Sequence, residues 1–180
     1  MDEYPVSERI TSANLVACVE GTLAVATLRY FDRAGTFAEA VRAATGATLP
    51  EPRAAREVLD GHLILAWRSP TETLCIARSA TPLAQLSAQL ATAADGCMVE
   101  LSGGVRIVRL TGHRIADLLC RLGGTASVPA PGEARRSRLA DVPVLALSVR
   151  AGEALLAVDR AHLPHVLAWI HETLLDFDAV

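Results

Sequence analysis

The sequence predicts an α+β protein built from antiparallel sheets with helices packed on one side, of ferredoxin-like flavour. Three observations carry that expectation. Apolar runs of strand character come in pairs around short turn sequences, as in HLILAWRSPTETLCIA. Between the pairs lie segments whose apolar residues recur at helical spacing. The composition, 51% hydrophobic but only 4% aromatic over 180 residues, allows a large core made mainly of Leu, Val, Ile and Ala. That length suits a single domain, or two small lobes divided at about 1–95 and 96–180.

Taken in order, a polar N-terminal arm leads into NLVACVEGTLAVATLRY, one or two strands around Gly21. TFAEAVRAATG places Phe37, Ala40, Val41 and Ala44 on one helical face, with Gly46 positioned to stop the helix. TLPEPRAAREV is expected to be a proline-marked loop. A hairpin follows, turning at Ser69-Pro70-Thr71-Glu72, and then the helix TPLAQLSAQLATA with Pro82 near its first turn. CMVELSGGVRIVRL reads as a second hairpin, turning at Ser102-Gly103-Gly104 with φ > 0 at the glycines. The third helix carries Ile115, Leu118, Leu119 and Leu122 on one face and ends at Gly123-Gly124. After the short SVPAPG loop, EARRSRL, DVPVLALSVR and EALLAVDR read as three consecutive strands, the last pair turning at Ala151-Gly152. The closing helix turns Leu163, Leu167, Ile170 and Leu174 inward.

The same sequence excludes several classes of function. A formal net charge of -3 argues against general affinity for nucleic acid or anionic membranes. Every basic side chain other than His is Arg, so no lysine nucleophile or Schiff base is available. No apolar run approaches the ~20 residues that span a bilayer. The opening MDEYPVSER is acidic and polar, unlike an export signal, and Cys18, Cys75, Cys97 and Cys120 form no C-x-x-C pair. A cytoplasmic protein with reduced, mostly buried thiols is expected.

The stretch LSGGVRIVRLTGHRIADLLCRLGG raises the question of a phosphate-binding loop. A P-loop needs G-x-x-x-x-G-K-[ST], and there is no Lys. A dinucleotide fingerprint needs its glycines between a strand and the helix that directly follows, whereas here a whole strand intervenes. The glycines therefore shape the backbone.

That stretch does resemble a known arrangement. An acidic-Leu-Ser-x-Gly turn, an Arg-x-x-Arg-Leu-x-Gly strand and an amphipathic Leu-Leu helix are similar to the folate-binding family of the glycine cleavage T-protein, in particular the gamma subunits of heterotetrameric sarcosine oxidases. Three further stretches resemble the same subunit in the same order: the tryptophan-then-proline hairpin with Trp67, Pro70 and Leu74; GEARRSRLADVPVLAL; and LLAVDRAHLPHVLAWI with Arg160 and Trp169. The resemblance runs from about Phe37 to the end of the chain.

It implies a T-protein-type fold and a non-catalytic structural or assembly subunit of a flavin-dependent complex that oxidises an N-methyl amino acid. FAD, FMN, NAD and tetrahydrofolate would then belong to partner subunits, with an isolated chain free to form a homo-oligomer. The alternative is a stand-alone folate-binding protein or aminomethyltransferase-like enzyme. Two departures bear on that choice. The family's leading Asp-Leu-Ser is Glu100-Leu101-Ser102 here, and the segment RLGGTASVPAP, where T-protein relatives place an aspartate used in folate chemistry, has no carboxylate.

No Ser or Cys stands in a nucleophile context, so no catalytic residue is assigned. His162 and His165 at i, i+3 fall short of the ligand set a zinc site needs, and His171 points elsewhere, so no metal site is assigned. His62 and His113 stand alone. The densest charge run is Arg135, Arg136 and Arg138. On a strand, Arg136 and Arg138 share a face opposite to Arg135. With Arg160 they are the candidates for contact with an acidic partner subunit or an anion, since guanidinium forks suit carboxylates. The competing reading is a solvated strand face.

Overall fold

A computed structural model describes residues 9–178. The acidic opening of the chain, MDEYPVSE, lies outside the described residues. The elements run β1 (Arg9–Thr11), β2 (Leu15–Glu20), β3 (Ala24–Tyr30), α1 (Thr36–Thr45), β4 (Ala55–Val58), β5 (Leu63–Ser69), β6 (Glu72–Ala77), α2 (Ala80–Leu90), β7 (Gly96–Glu100), β8 (Val105–Gly112), α3 (Ile115–Gly123), β9 (Glu133–Leu139), β10 (Val142–Ser148), β11 (Glu153–Asp159) and α4 (Leu163–Asp178). They form a six-stranded sheet, ordered β1-β2-β8-β11-β10-β9, and a five-stranded sheet, ordered β4-β5-β6-β3-β7. This is the α+β class the sequence predicts.

The chain divides into two compact units that interleave in sequence instead of splitting near residue 95. One comprises 1–21, 104–131 and 135–180; the other comprises 22–103 and 132–134. In the first, Val108, Leu110, Ala146, Ala154 and Leu156 from the six-stranded sheet pack with Leu118 and Leu119 of α3 and Val166, Leu167 and Ile170 of α4. The inward face expected of the closing helix is the observed one: Leu163, Leu167, Ile170 and Leu174 are all buried. Arg114 and Arg121 lie 3.9 and 4.9 Å from the centre of the Phe177 ring, and Arg121 reaches Asp176 at 3.1 Å, fastening α3 to the end of α4. In the second unit, Leu28, Leu63, Leu65 and Cys75 pack with Phe37 and Val41 of α1 and Leu83, Leu86 and Leu90 of α2.

Local rules explain most boundaries. Gly46 takes the left-handed conformation (φ 73°) and its N–H returns to Arg42 O at 2.9 Å, closing α1. Gly152 (φ 74°) turns β10 into β11 as expected. The β9–β10 hairpin turns on Ala140 and Asp141, both at positive φ (49° and 64°), a type I′ geometry without its usual Asn-Gly.

Four expectations are corrected. CMVELSGGVRIVRL is not a hairpin: β7 pairs with β3 in one sheet, and β8 pairs with β2 and β11 in the other. Neither Gly103 nor Gly104 has positive φ; the pair carries the chain from one unit into the other. The expected proline-marked loop contains β4, whose AREV sequence, charged and preceded by two prolines, hides an edge strand paired to β5. The polar arm contains β1, paired with β2.

Candidate functional site

The candidate arginines all fall in the unit built on the six-stranded sheet. Arg135, Arg136 and Arg138 lie on β9, its outermost strand, and alternate as expected: Arg136 and Arg138 are exposed, while Arg135 turns back and donates to Ala126 O at 3.3 Å. Arg138 donates to the carbonyl of Asp141 in the adjoining turn. Arg160 is exposed just past β11, its N–H donating to Gly104 O at 2.8 Å. Since β9 and β11 both run antiparallel to β10, the Arg138 end of β9 and the Arg160 end of β11 lie at the same end of the sheet, roughly two strand spacings or 10 Å apart. The N-terminal end of α4 comes to that same end, where His165 Nε2 lies 3.0 Å from Ala140 O and packs edge-on against Trp169, 6.4 Å between centroids. Trp169 stays 51% exposed. Arg138 and Arg160 thus share one end of the sheet, but Leu139 packs with α4 in the core, so strand alternation turns Arg136 and Arg138 to the sheet face opposite His165 and Trp169, while Arg135 turns to the helix side.

The histidines do not assemble a metal site. His162 and His171 are exposed, His171 sits 4.0 Å from Glu172, and the described residues contain no group of three His, Cys, Asp or Glu placed to hold an ion. In the segment after α3, where the resemblance implies a catalytic aspartate, Ser127 is buried and its hydroxyl donates to Gly123 O at 2.7 Å and meets the Ser137 hydroxyl of β9. The hydroxyl ties helix to strand. Burial pushes the Cys75 thiol far up, so it is inert. Cys97, expected to be buried by its apolar context, is exposed, because β7 lies at a sheet edge.

Two features escaped sequence reasoning. On β8, Arg109 donates through Nε to Glu20 at 2.5 Å and through Nη1 to Glu153 at 2.6 Å, all three side chains being 20–31% exposed. Burial opposes the charged guanidinium, but the hydrogen bonds and charges of the two carboxylates outweigh it and hold Arg109 above its usual range. Glu153 also lines a cleft of about 320 Å³ with His113, Ile115, Pro129 and Pro131. Its carboxylate is already committed to Arg109.

The second feature is a cap supplied from a distance. Gly35 at the N-terminus of α1 has no side chain to cap with; the Asp95 carboxylate, just before β7, accepts from Thr36 Oγ1 at 2.5 Å and Phe37 N at 2.7 Å. A Cβ on Gly35 would lie 1.8 Å from Asp95 Oδ2, and one on Gly96 would lie 2.4 Å from the Phe37 ring, so both glycines make room for this joint. The Thr36 hydroxyl leads in holding Asp95 below the usual aspartate range, with desolvation opposing and the Phe37 amide adding to it. A depressed carboxylate contributes stability above its unfolded-state value and loses it as pH falls through the folded one. Asp95→Ala is accordingly expected to melt several degrees lower than the wild type at neutral pH, with the gap closing below about pH 4. A gap that stays constant in thermal melts from pH 7 to pH 3 would show that the carboxylate charge is not what caps α1.

No family model matches the sequence, and no curated protein matches it. Solved structures do. A chain of heterotetrameric sarcosine oxidase from Corynebacterium sp. U-96, in complex with pyrrole 2-carboxylate, superposes with a TM-score of 0.82 at 21% identity, covering 96% of this chain and 90% of that one. The glycine cleavage system aminomethyltransferase T from Bartonella henselae superposes at 0.61 and 12% identity, covering 82% of this chain but only 43% of its own length. This chain therefore shares its fold with both of these chains. No helix among the described residues is long and apolar enough to cross a membrane.

Proposed function

We propose that this chain is a non-catalytic structural subunit of a sarcosine-oxidase-like flavoenzyme complex that oxidises an N-methyl amino acid in the cytoplasm. The observation that carries the reading is mutual coverage: the chain matches nearly the whole of a chain from a heterotetrameric oxidase, yet under half of a T-protein. The fuller match is with the oxidase chain, and it supports the subunit reading over that of an aminomethyltransferase. The chain's own chemistry supports the same side. Among the described residues, the partly buried Arg109, Glu20 and Glu153 are paired with one another, and the Ser127 hydroxyl is spent on packing helix against strand. FAD, FMN, NAD and tetrahydrofolate would be held by the partners.

The alternative, a folate-binding enzyme of T-protein type, is separated by calorimetry with tetrahydrofolate. The subunit reading expects no heat of binding to the isolated chain; saturable binding at one site per chain would favour the alternative.

Arg136, Arg138 and Arg160 would face an acidic surface of a partner subunit. Changing Arg136 and Arg138 together to Glu keeps exposed positions exposed, so the chain should fold, but it sets like charge against the partner. Co-purification with the complex should fall at least about tenfold, a loss of ~1.4 kcal/mol. Retention of the double variant at wild-type yield and salt sensitivity would remove these residues from the interface.

A further inference from the structure

We propose that, in the isolated chain, β7 pairs antiparallel with β7 of a second copy. The proposal stands apart from the assembly reading and concerns a different unit. β7 forms one edge of the five-stranded sheet, and no described strand pairs with its outer side. Its hydrogen-bond phase is fixed at both ends. Phe31 N donates to Asp95 O at 3.2 Å, and Leu101 N donates to Val25 O at 2.7 Å. Odd-numbered residues therefore turn their backbone groups toward β3, which leaves the N–H and C=O of Gly96, Met98 and Glu100 pointing outward.

The other edges are protected. β4 is bridged through Ala54 and Glu133, with Ala55 N donating to Gly132 O at 2.7 Å; β9 carries three arginines; β1 is three residues long. β7, of sequence GCMVE, has no proline, basic residue or bulge. Cys97 and Val99 (38% exposed) share its open face, Glu100 is exposed at its end, and Phe31, 92% exposed just past β3, lines a hollow of about 580 Å³ together with Arg29 and Cys97.

The register singles out a second copy as the occupant. Pairing about Met98 uses all five residues and matches outward backbone groups with outward backbone groups. It sets Cys97 opposite the partner copy's Val99 and Glu100 opposite the partner copy's Gly96, so apolar meets apolar and no charge meets its like. A two-fold pairing of this kind is isologous and closes on itself, leaving neither edge free.

The mass of the full chain by light scattering across a dilution series tests this. The expected result is twice the chain mass at high concentration, dissociating on dilution. Val99→Lys should weaken the dimer at least about tenfold without altering the far-UV circular dichroism. Val99→Cys places a thiol directly opposite Cys97, within about 5 Å between Cβ atoms, so oxidation by diamide should give a covalent dimer linking Cys97 to the introduced thiol. The wild type, with Cys97 facing valine, should not crosslink through this strand. This second variant decides the matter if Val99→Lys does not fold. A single-chain mass throughout, a Val99→Lys dimer of unchanged strength, crosslinks to Cys18 or Cys120 instead of Cys97, or mass gained only when another protein is supplied would each overturn the proposal.

Discussion

Gly112→Ala is expected to cost about 3 kcal/mol or more, a large share of the ~5–15 kcal/mol that holds a domain folded. Gly112 ends β8 at φ +133°, a conformation that L side chains rarely adopt. It sits opposite Leu15 of β2, where a Cβ would lie 2.2 Å from the backbone oxygen of Asn14. Neither problem can be relieved by a side-chain rotation. The two strands must separate, and the neighbouring bonds Gly112 N to Gly152 O (3.1 Å) and His113 N to Asn14 O (3.1 Å) would be disturbed together. Backbone strain of this type costs about 1–3 kcal/mol, and the disturbed hydrogen bonds add to it. Gly103→Ala is the matched control: its Cβ meets nothing within 4 Å and its φ is not positive, so a change within about 0.5 kcal/mol is expected. Urea titrations of the two variants check the pair. Equal losses would mean that glycine content, and not the β2–β8 crossing, sets the cost.

Arg109→Met is expected to cost about 2 kcal/mol at neutral pH, below the ~3–5 kcal/mol of a fully buried broken pair because water reaches all three side chains. The loss comes less from the bonds removed than from the two partly buried carboxylates left facing each other. Glu20→Gln should be much milder, because Arg109 keeps Glu153 as its counter-charge. Denaturant midpoints at neutral pH read both statements. Glu20→Gln proving as costly as Arg109→Met would refute the surplus-charge account.

The legible parts of this fold are those encoded locally. The helices follow from i, i+3, i+4 spacing; Gly46 and Gly152 announce their turns; the 63–77 hairpin is written in its turn chemistry. Long-range choices are not written that way. The alternation of CMVEL and VRIVRL around two glycines is what a hairpin looks like, and nothing local says that β8 prefers β2, 89 residues from Glu20 to Arg109, over β7 beside it. β4 was hidden by its prolines and charges, and Cys97 by an apolar pattern whose meaning reverses at a sheet edge. The candidate site divides the same way. Arg136 and Arg138 stand where strand alternation puts them, whereas the placing of Arg138 and Arg160 at one end of the sheet depends on sheet order. Asp95 caps a helix from 59 residues away, and Arg109 draws its carboxylates from two other strands. Such joins have a register in space but none in the sequence.

The central claim is membership of a flavoenzyme complex, and the most direct measurement is the visible spectrum and subunit content of the tagged chain purified from its own cells. The account predicts a yellow complex in which this chain is stoichiometric with a larger flavoprotein, and a colourless preparation when the chain is produced alone. Purification from its own cells as an unaccompanied, colourless chain, or stoichiometric flavin on the chain produced alone, would contradict it.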